Sequence, residues 1–140
     1  MFGLFRKKPQ RPPNDVINEI TNWMGEYRRC LERLDSHMGE ANFIKLKLEA
    51  SNLMRCVQEL EALWPDAKHI WEELKQATYL YDQLIKNGEE MLKSTDVAFS
   101  EPSKYQKLIT RNQKLGLQST ERLERGLTLL SEWLGINFME

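Results

Sequence analysis

The sequence predicts an all-α protein: an antiparallel up-down-up-down four-helix bundle with an extended basic N-terminal arm. Three observations lead there. From Phe43 to Trp64, the apolar residues Phe43, Leu46, Ala50, Leu53, Val57, Leu60 and Trp64 alternate gaps of three and four without a slip. That is the seam spacing that keeps one helix face against a partner. Glu, Lys, Leu, Met, Arg and Gln fill most positions between them, so helix propensity agrees with pattern. Finally, Pro and Gly fall at the edges of four such periodic stretches and leave short links between them.

Taken in order, residues 1–13 form an arm with an apolar tip, a basic middle and a Pro-rich stem, because Pro9, Pro12 and Pro13 oppose a continuing helix. Residues 14–140 form a single helical-bundle domain. Asn14 or Asp15 is the expected N-cap of helix one. Its stripe is Val16, Ile20, Trp23, Tyr27, Leu31, Leu34 and Met38, widened by Ile17 and Met24, and Gly39 is the expected stop. Helix two starts near Asn42 and ends at Trp64, since Pro65 disfavours helical geometry before it. Ile44, Leu48, Cys56 and Leu63 give helix two a second apolar side. A helix apolar on two sides sits between neighbours.

Helix three opens at Pro65 and carries Ile70, Leu74, Ala77, Tyr81, Leu84 and Ile85, with Trp71 on the edge of the stripe. Gly88 either ends this helix or sits inside a bent one reaching Leu92. After the longest loop, residues 94–102, Ser103-Lys-Tyr-Gln106 fits a capping box for helix four. The inner face of helix four is Tyr105, Ile109, Asn112, Gly116, Ser119, Leu123, Gly126 and Leu130. Glycine costs about 1 kcal/mol in a helix interior. Two in register therefore imply close approach to bulky neighbours such as Trp23, Trp71 or Tyr81, or a break near Gly116. Gly135 ends the helix, and Ile136, Phe138 and Met139 form an apolar tail that either covers the open end of the bundle or docks on a partner.

A chain of 140 residues suits one domain, and 41% hydrophobic with 29% charged residues is ordinary for a globular fold. The net charge is −1, but residues 1–13 hold Arg6, Lys7, Lys8 and Arg11 and no acid, so the remainder is acidic. An acidic body disfavours nucleic acid as the partner. Cys30 and Cys56 read as two buried free thiols. No stretch approaches the ~20 apolar residues of a membrane span. The short Phe-Gly-Leu-Phe start does not read as a secretory signal, and Phe2 stands where myristoylation requires glycine. The expected location is the cytoplasm.

Catalytic constellations are not indicated. A di-iron bundle needs Glu-x-x-His pairs, whereas this chain has the reversed order, His37-x-x-Glu40 and His69-x-x-Glu72. Gly-x-Ser-x-Gly, Walker A and dinucleotide-loop motifs are missing. The expectation is a protein that is not an enzyme and uses no cofactor or metal.

Binding features are clearer. Lys104, Lys107, Arg111 and Lys114 recur at three, four and three residues with no acid between positions 103 and 114. In the arm, Phe2, Leu4 and Phe5 suit a bilayer interface or a protein groove, while Arg6, Lys7, Lys8 and Arg11 suit anionic head groups at about 1 kcal/mol each. The leading expectation is a non-catalytic interaction module: an adaptor, regulator or accessory subunit. Its contacts would be the arm, Ile44 and Leu48 on helix two, the helix-four stripe and Phe138, and its partner another protein or a second copy. The alternative is a peripheral binder of anionic membrane, at its inner face, or of nucleic acid, through the arm and the helix-four stripe.

Overall fold

A computed structural model describes residues 9–40, 42–94 and 100–139. These form four α-helices and one 3-10 turn: α1 (Asn14–Gly39), α2 (Phe43–Leu63), the turn Pro65–Ala67, α3 (Lys68–Lys93) and α4 (Pro102–Leu134). No strand occurs among the described residues, so the all-α class stands.

Local chemistry sets most of the ends, and differs from expectation at three of them. Pro13 is extended (φ −60°, ψ 158°) and its carbonyl accepts from Ile17 N–H, so Asn14 is already helical and no side chain caps α1. Asp15 instead sits in the first turn, where its charge complements the dipole. At α2 the expected cap forms, with Asn42 Oδ1 accepting from Lys45 N–H at 3.3 Å. Pro65 opens the 3-10 turn, and α3 starts only at Lys68. At α4 the capping box at Ser103 does not form. The helix starts two residues before that box would set it, because Pro102 is pre-set for the first helical position and Glu101 O accepts from Lys104 N–H and Tyr105 N–H. Gly135 closes α4 in the left-handed conformation (φ 67°), with its N–H on Ser131 O.

Packing follows the α2 seam. Leu46, Ala50, Leu53, Val57 and Leu60 are all buried, and each large member contributes about 1.5–3 kcal/mol. Residue pairs join successive helices. Arg33 meets Glu49 between α1 and α2, and Lys47–Glu89 and Lys75–Glu61 tie α2 to α3. Leu74 faces Gly126, and Asn87 Nδ2 donates to Leu108 O between α3 and α4. α4 packs extensively on α3, whereas α1 has its extensive contact with α2.

Two core assignments shift. The buried stripe of α1 is Ile17, Ile20, Met24, Tyr27, Cys30 and Leu34. Counting Cys30 as a small hydrophobe rotates the stripe away from Val16, Trp23, Leu31 and Met38, which are partly buried or exposed. Trp71 lies in the core, not on its edge. Its indole N–H donates to Trp64 O at 2.8 Å, so the whole ring can be buried, and it meets Trp133 edge to face with centroids 6.1 Å apart.

The glycines of α3 and α4 now separate. Gly88 lies inside an unbroken α3, with the Phe43 ring where a side chain would begin. Gly126 permits the closest approach: a Cβ there would lie 2.8 Å from Leu74 Cδ2 and 3.4 Å from Glu73 Cβ, so an aliphatic neighbour, not Trp23, Trp71 or Tyr81, demands it. Gly116 has open space and does not break the helix. Urea unfolding should therefore separate them. Gly116→Ala should raise stability by about 0.5–1 kcal/mol, whereas Gly126→Ala should lower it by about 1–2 kcal/mol as overpacking outweighs the helix-propensity gain.

Candidate interaction surfaces

The predicted contact residues do not form one site. Ile44 and Leu48 lie one turn apart near the start of α2, 85% and 58% exposed. The other two residues of that expected second apolar side turn inward: Cys56 is buried and Leu63 half-buried. The apolar outer face of α2 is therefore short and confined to its N-terminal end. It shares that end of the molecule with the last turn of α1, where Met38 is exposed.

The basic residues of α4 lie on a different surface. Lys104, Lys107, Arg111 and Lys114 are all exposed. Lys104 pairs with Glu101 at 3.8 Å, while Lys107, Arg111 and Lys114 have no carboxylate partner among the described residues. Leu117, 68% exposed, follows one turn later. The sequence reading overlooked it because it follows Leu115, which is buried; two residues along a helix turn a side chain to the opposite face. Farther along, Arg122 and Arg125 share Glu73 at 3.1 and 3.7 Å.

Residues 9–13 and 135–139 both lie against the far end of α4. The Trp133 indole N–H donates to Pro9 O at 2.8 Å, Arg11 Nη1 donates to Leu134 O at 2.6 Å, and Pro12 is buried. Residues 9–13 of the expected arm are thus moored to α4, and the Arg11 charge sits at the negative end of its dipole. Phe2, Leu4, Phe5, Arg6, Lys7 and Lys8 lie outside the described residues. After Gly135 the tail folds back on the core: Ile136 and Phe138 pack against it, and Phe138 N–H donates to Ser131 Oγ at 3.0 Å. A cleft of about 360 Å³ remains between α1 and this tail, lined by Met24, Gly25, Leu31, Leu127, Ile136 and Phe138.

Between α1 and α2 lies a polar cluster that periodicity did not reveal. Arg33 Nε donates to buried Glu49 Oε1 at 2.9 Å, and its Nη2 donates to Glu26 Oε1 and to Cys30 Sγ, both at 3.2 Å. Hydrogen bonds from Arg29 and Arg33 hold the Glu26 carboxyl below its usual range. Burial, and then the nearby Cys56 thiol, push the Cys30 thiol up to about 12; burial, and then the Glu26 carboxylate, raise Cys56 as well. Both are free and buried, and Cys56 borders a second cleft with Trp23, Glu26, Asn52 and Arg55. The signal for Glu49 was its place beside the seam at Ala50; a carboxylate there needs a partner from the next helix. His37 lies near the end of α1, 3.5 Å from Glu40, and His69 lies in the first turn of α3. The described residues bring no three His, Cys, Asp or Glu side chains together in a metal-holding group.

These thiols are raised acids held in the protonated form, so they favour the folded state below about pH 9 and lose that contribution as pH climbs toward 12. Melting temperature should fall between about pH 8 and pH 11. Iodoacetamide followed by mass spectrometry should label neither cysteine in the native protein near neutral pH, and both in concentrated guanidinium. Compared with family models, with curated proteins and with solved structures, the chain matches none.

Proposed function

We propose that the chain is a non-catalytic protein–protein interaction module, an adaptor or accessory subunit built on an up-down-up-down four-helix bundle, and that its partner covers the outer face of α2. The observation that carries this reading is the exposure of Ile44 and Leu48 on a helix whose opposite side is a buried seam. Large apolar side chains in adjacent turns of a helix suit a helix-on-helix contact. No other described helix exposes two large aliphatic residues one turn apart. The module works in the cytoplasm, and its partner is another protein or a second copy of the chain.

Light scattering and affinity capture from native cells, run with wild type and with Ile44→Glu/Leu48→Glu, test it. Both positions are exposed, so the double variant should keep its helicity by circular dichroism. It should lose the captured protein, or the dimer, with affinity falling at least tenfold. An unchanged partner set and unchanged oligomeric state would remove the reading.

A further inference from the structure

The structure assigns α4 a partner of its own: a second copy of the chain. The two α4 helices lie antiparallel, the basic half of each beside the acidic half of the other. α4 leaves one large apolar side chain exposed, Leu117. It stands nine residues before Gly126, so the two point roughly 180° apart around the helix. Gly126 is where Leu74 of α3 comes closest, which puts Leu117 in the middle of the outward face. Lys107, Thr110, Lys114, Leu117, Glu121, Glu124 and Thr128 share that face: they alternate gaps of three and four residues, and all are exposed. α3, on which α4 packs extensively, lies on the opposite side.

The charges on this face are sorted by their side of Leu117. Residues 102–120 hold four bases and no acid. Three of these, Lys107, Arg111 and Lys114, lack a carboxylate partner among the described residues. Beyond Leu117 the exposed acids are Glu121, Glu124 and Glu132. The bases of that second half, Arg122 and Arg125, are both committed to Glu73, and the three acids have no cationic partner among the described residues. The outward face is thus positive before Leu117 and negative after it, with neither sign matched inside the chain. Most other bases are matched: Arg28, Arg29, Arg33, Lys47, Lys75 and Lys86 each meet a carboxylate.

Such an order becomes its own complement when it is turned end for end, which is what a two-fold axis requires of a self-matching surface. With the axis beside residues 117 and 118, the two Leu117 side chains meet near the centre. Lys114 then comes level with Glu121 of the second copy. Lys107 comes level with Thr128 of the second copy, one turn from both its Glu124 and its Glu132. Lys114, Glu121 and Glu124 lie within roughly 60° of Leu117 around the helix, so they face the partner with it. A parallel pair would set bases on bases and acids on acids, which repulsion opposes. Exposed ion pairs contribute little each; they fix orientation and register, and Leu117 supplies the apolar contact. The face is not that of Ile44 and Leu48, because α4 packs on α3 and not on α2; a partner on α2 and a second copy on α4 can be held together.

Sedimentation equilibrium of the full chain at low and high salt tests it. The chain should dimerise at low salt and dissociate as salt rises. Lys107→Glu/Lys114→Glu and Glu121→Lys/Glu124→Lys should each weaken self-association about tenfold or more, with unchanged circular dichroism. Mixed together, the two variants should pair again, because one outward face is then wholly acidic and the other wholly basic. Leu117→Cys should cross-link across the axis under mild oxidation. Thr110→Cys should not, since its two copies are roughly 22 Å apart along an antiparallel pair. Ile44→Glu/Leu48→Glu should dimerise through α4 as wild type does, which separates this proposal from the α2 reading. A strict monomer, a dimer indifferent to salt and to both charge variants, failure of the mixed variants to pair, or cross-linking through Thr110→Cys would overturn it. So would a chain that stays monomeric while Lys107 and Lys114 bind anionic vesicles or duplex DNA, which would assign the basic half to that partner.

Discussion

Burial of the α2 seam is the constraint from which the rest of the molecule follows. Leu46, Ala50, Leu53, Val57 and Leu60 need cover along the whole helix, and apolar area removed from water is the dominant favourable term in folding. Two neighbours supply that cover, α1 and α3. α4 then packs on α3, so the helices follow one another in space as they do in sequence. Short links make this order inexpensive in loop entropy.

That succession has consequences at both outer helices. α1 and α4 do not close on each other as they close on α2 and α3. The C-terminal tail and the Pro9–Pro13 stem fill part of the gap, with Phe138 and Ile136 on the core and Pro9 held by Trp133. The Trp71–Trp133 contact links α3 to the end of α4 at the same place. One end of the molecule is therefore sewn together by residues 9–13 and 136–138. At the other end, Met38, Phe43, Leu46 and Ile85 line a small cleft.

Buried Thr78 and Ser119 bond to carbonyls of their own helices, but several charged and amide groups inside the helical pairs are matched across helices. Glu49 meets Arg33, Asn87 meets the Leu108 carbonyl and Asn112, and Glu73 meets Arg122 and Arg125. Such pairs add little net stability, but a slipped register would strand a buried carboxylate or carboxamide. They favour this register of α1 on α2 and of α3 on α4. Three of the bases left without such matches, Lys107, Arg111 and Lys114, lie on α4.

The sequence by itself determined the helices. The three-four seam, Asn42 as a cap, Pro65 as a break and Gly135 as a stop are all local, and local chemistry decides them. On α4 it placed Ser119, Gly126 and Leu130 inside, but it put Gly116 on the inner face, where there is open space, and left out buried Leu115. What it left open depended on neighbours distant in the chain. Gly116 and Gly126 look alike in sequence, and only Leu74, more than 50 residues away from Gly126, separates them. Trp71 moved from edge to core because a carbonyl of the preceding turn and the Trp133 ring were there to receive it. Pro9 and Arg11, read from the sequence as part of an extended arm, found partners at the far end of α4. Periodicity states which side of a helix is apolar, but which residues meet across helices is settled only when the helices pack.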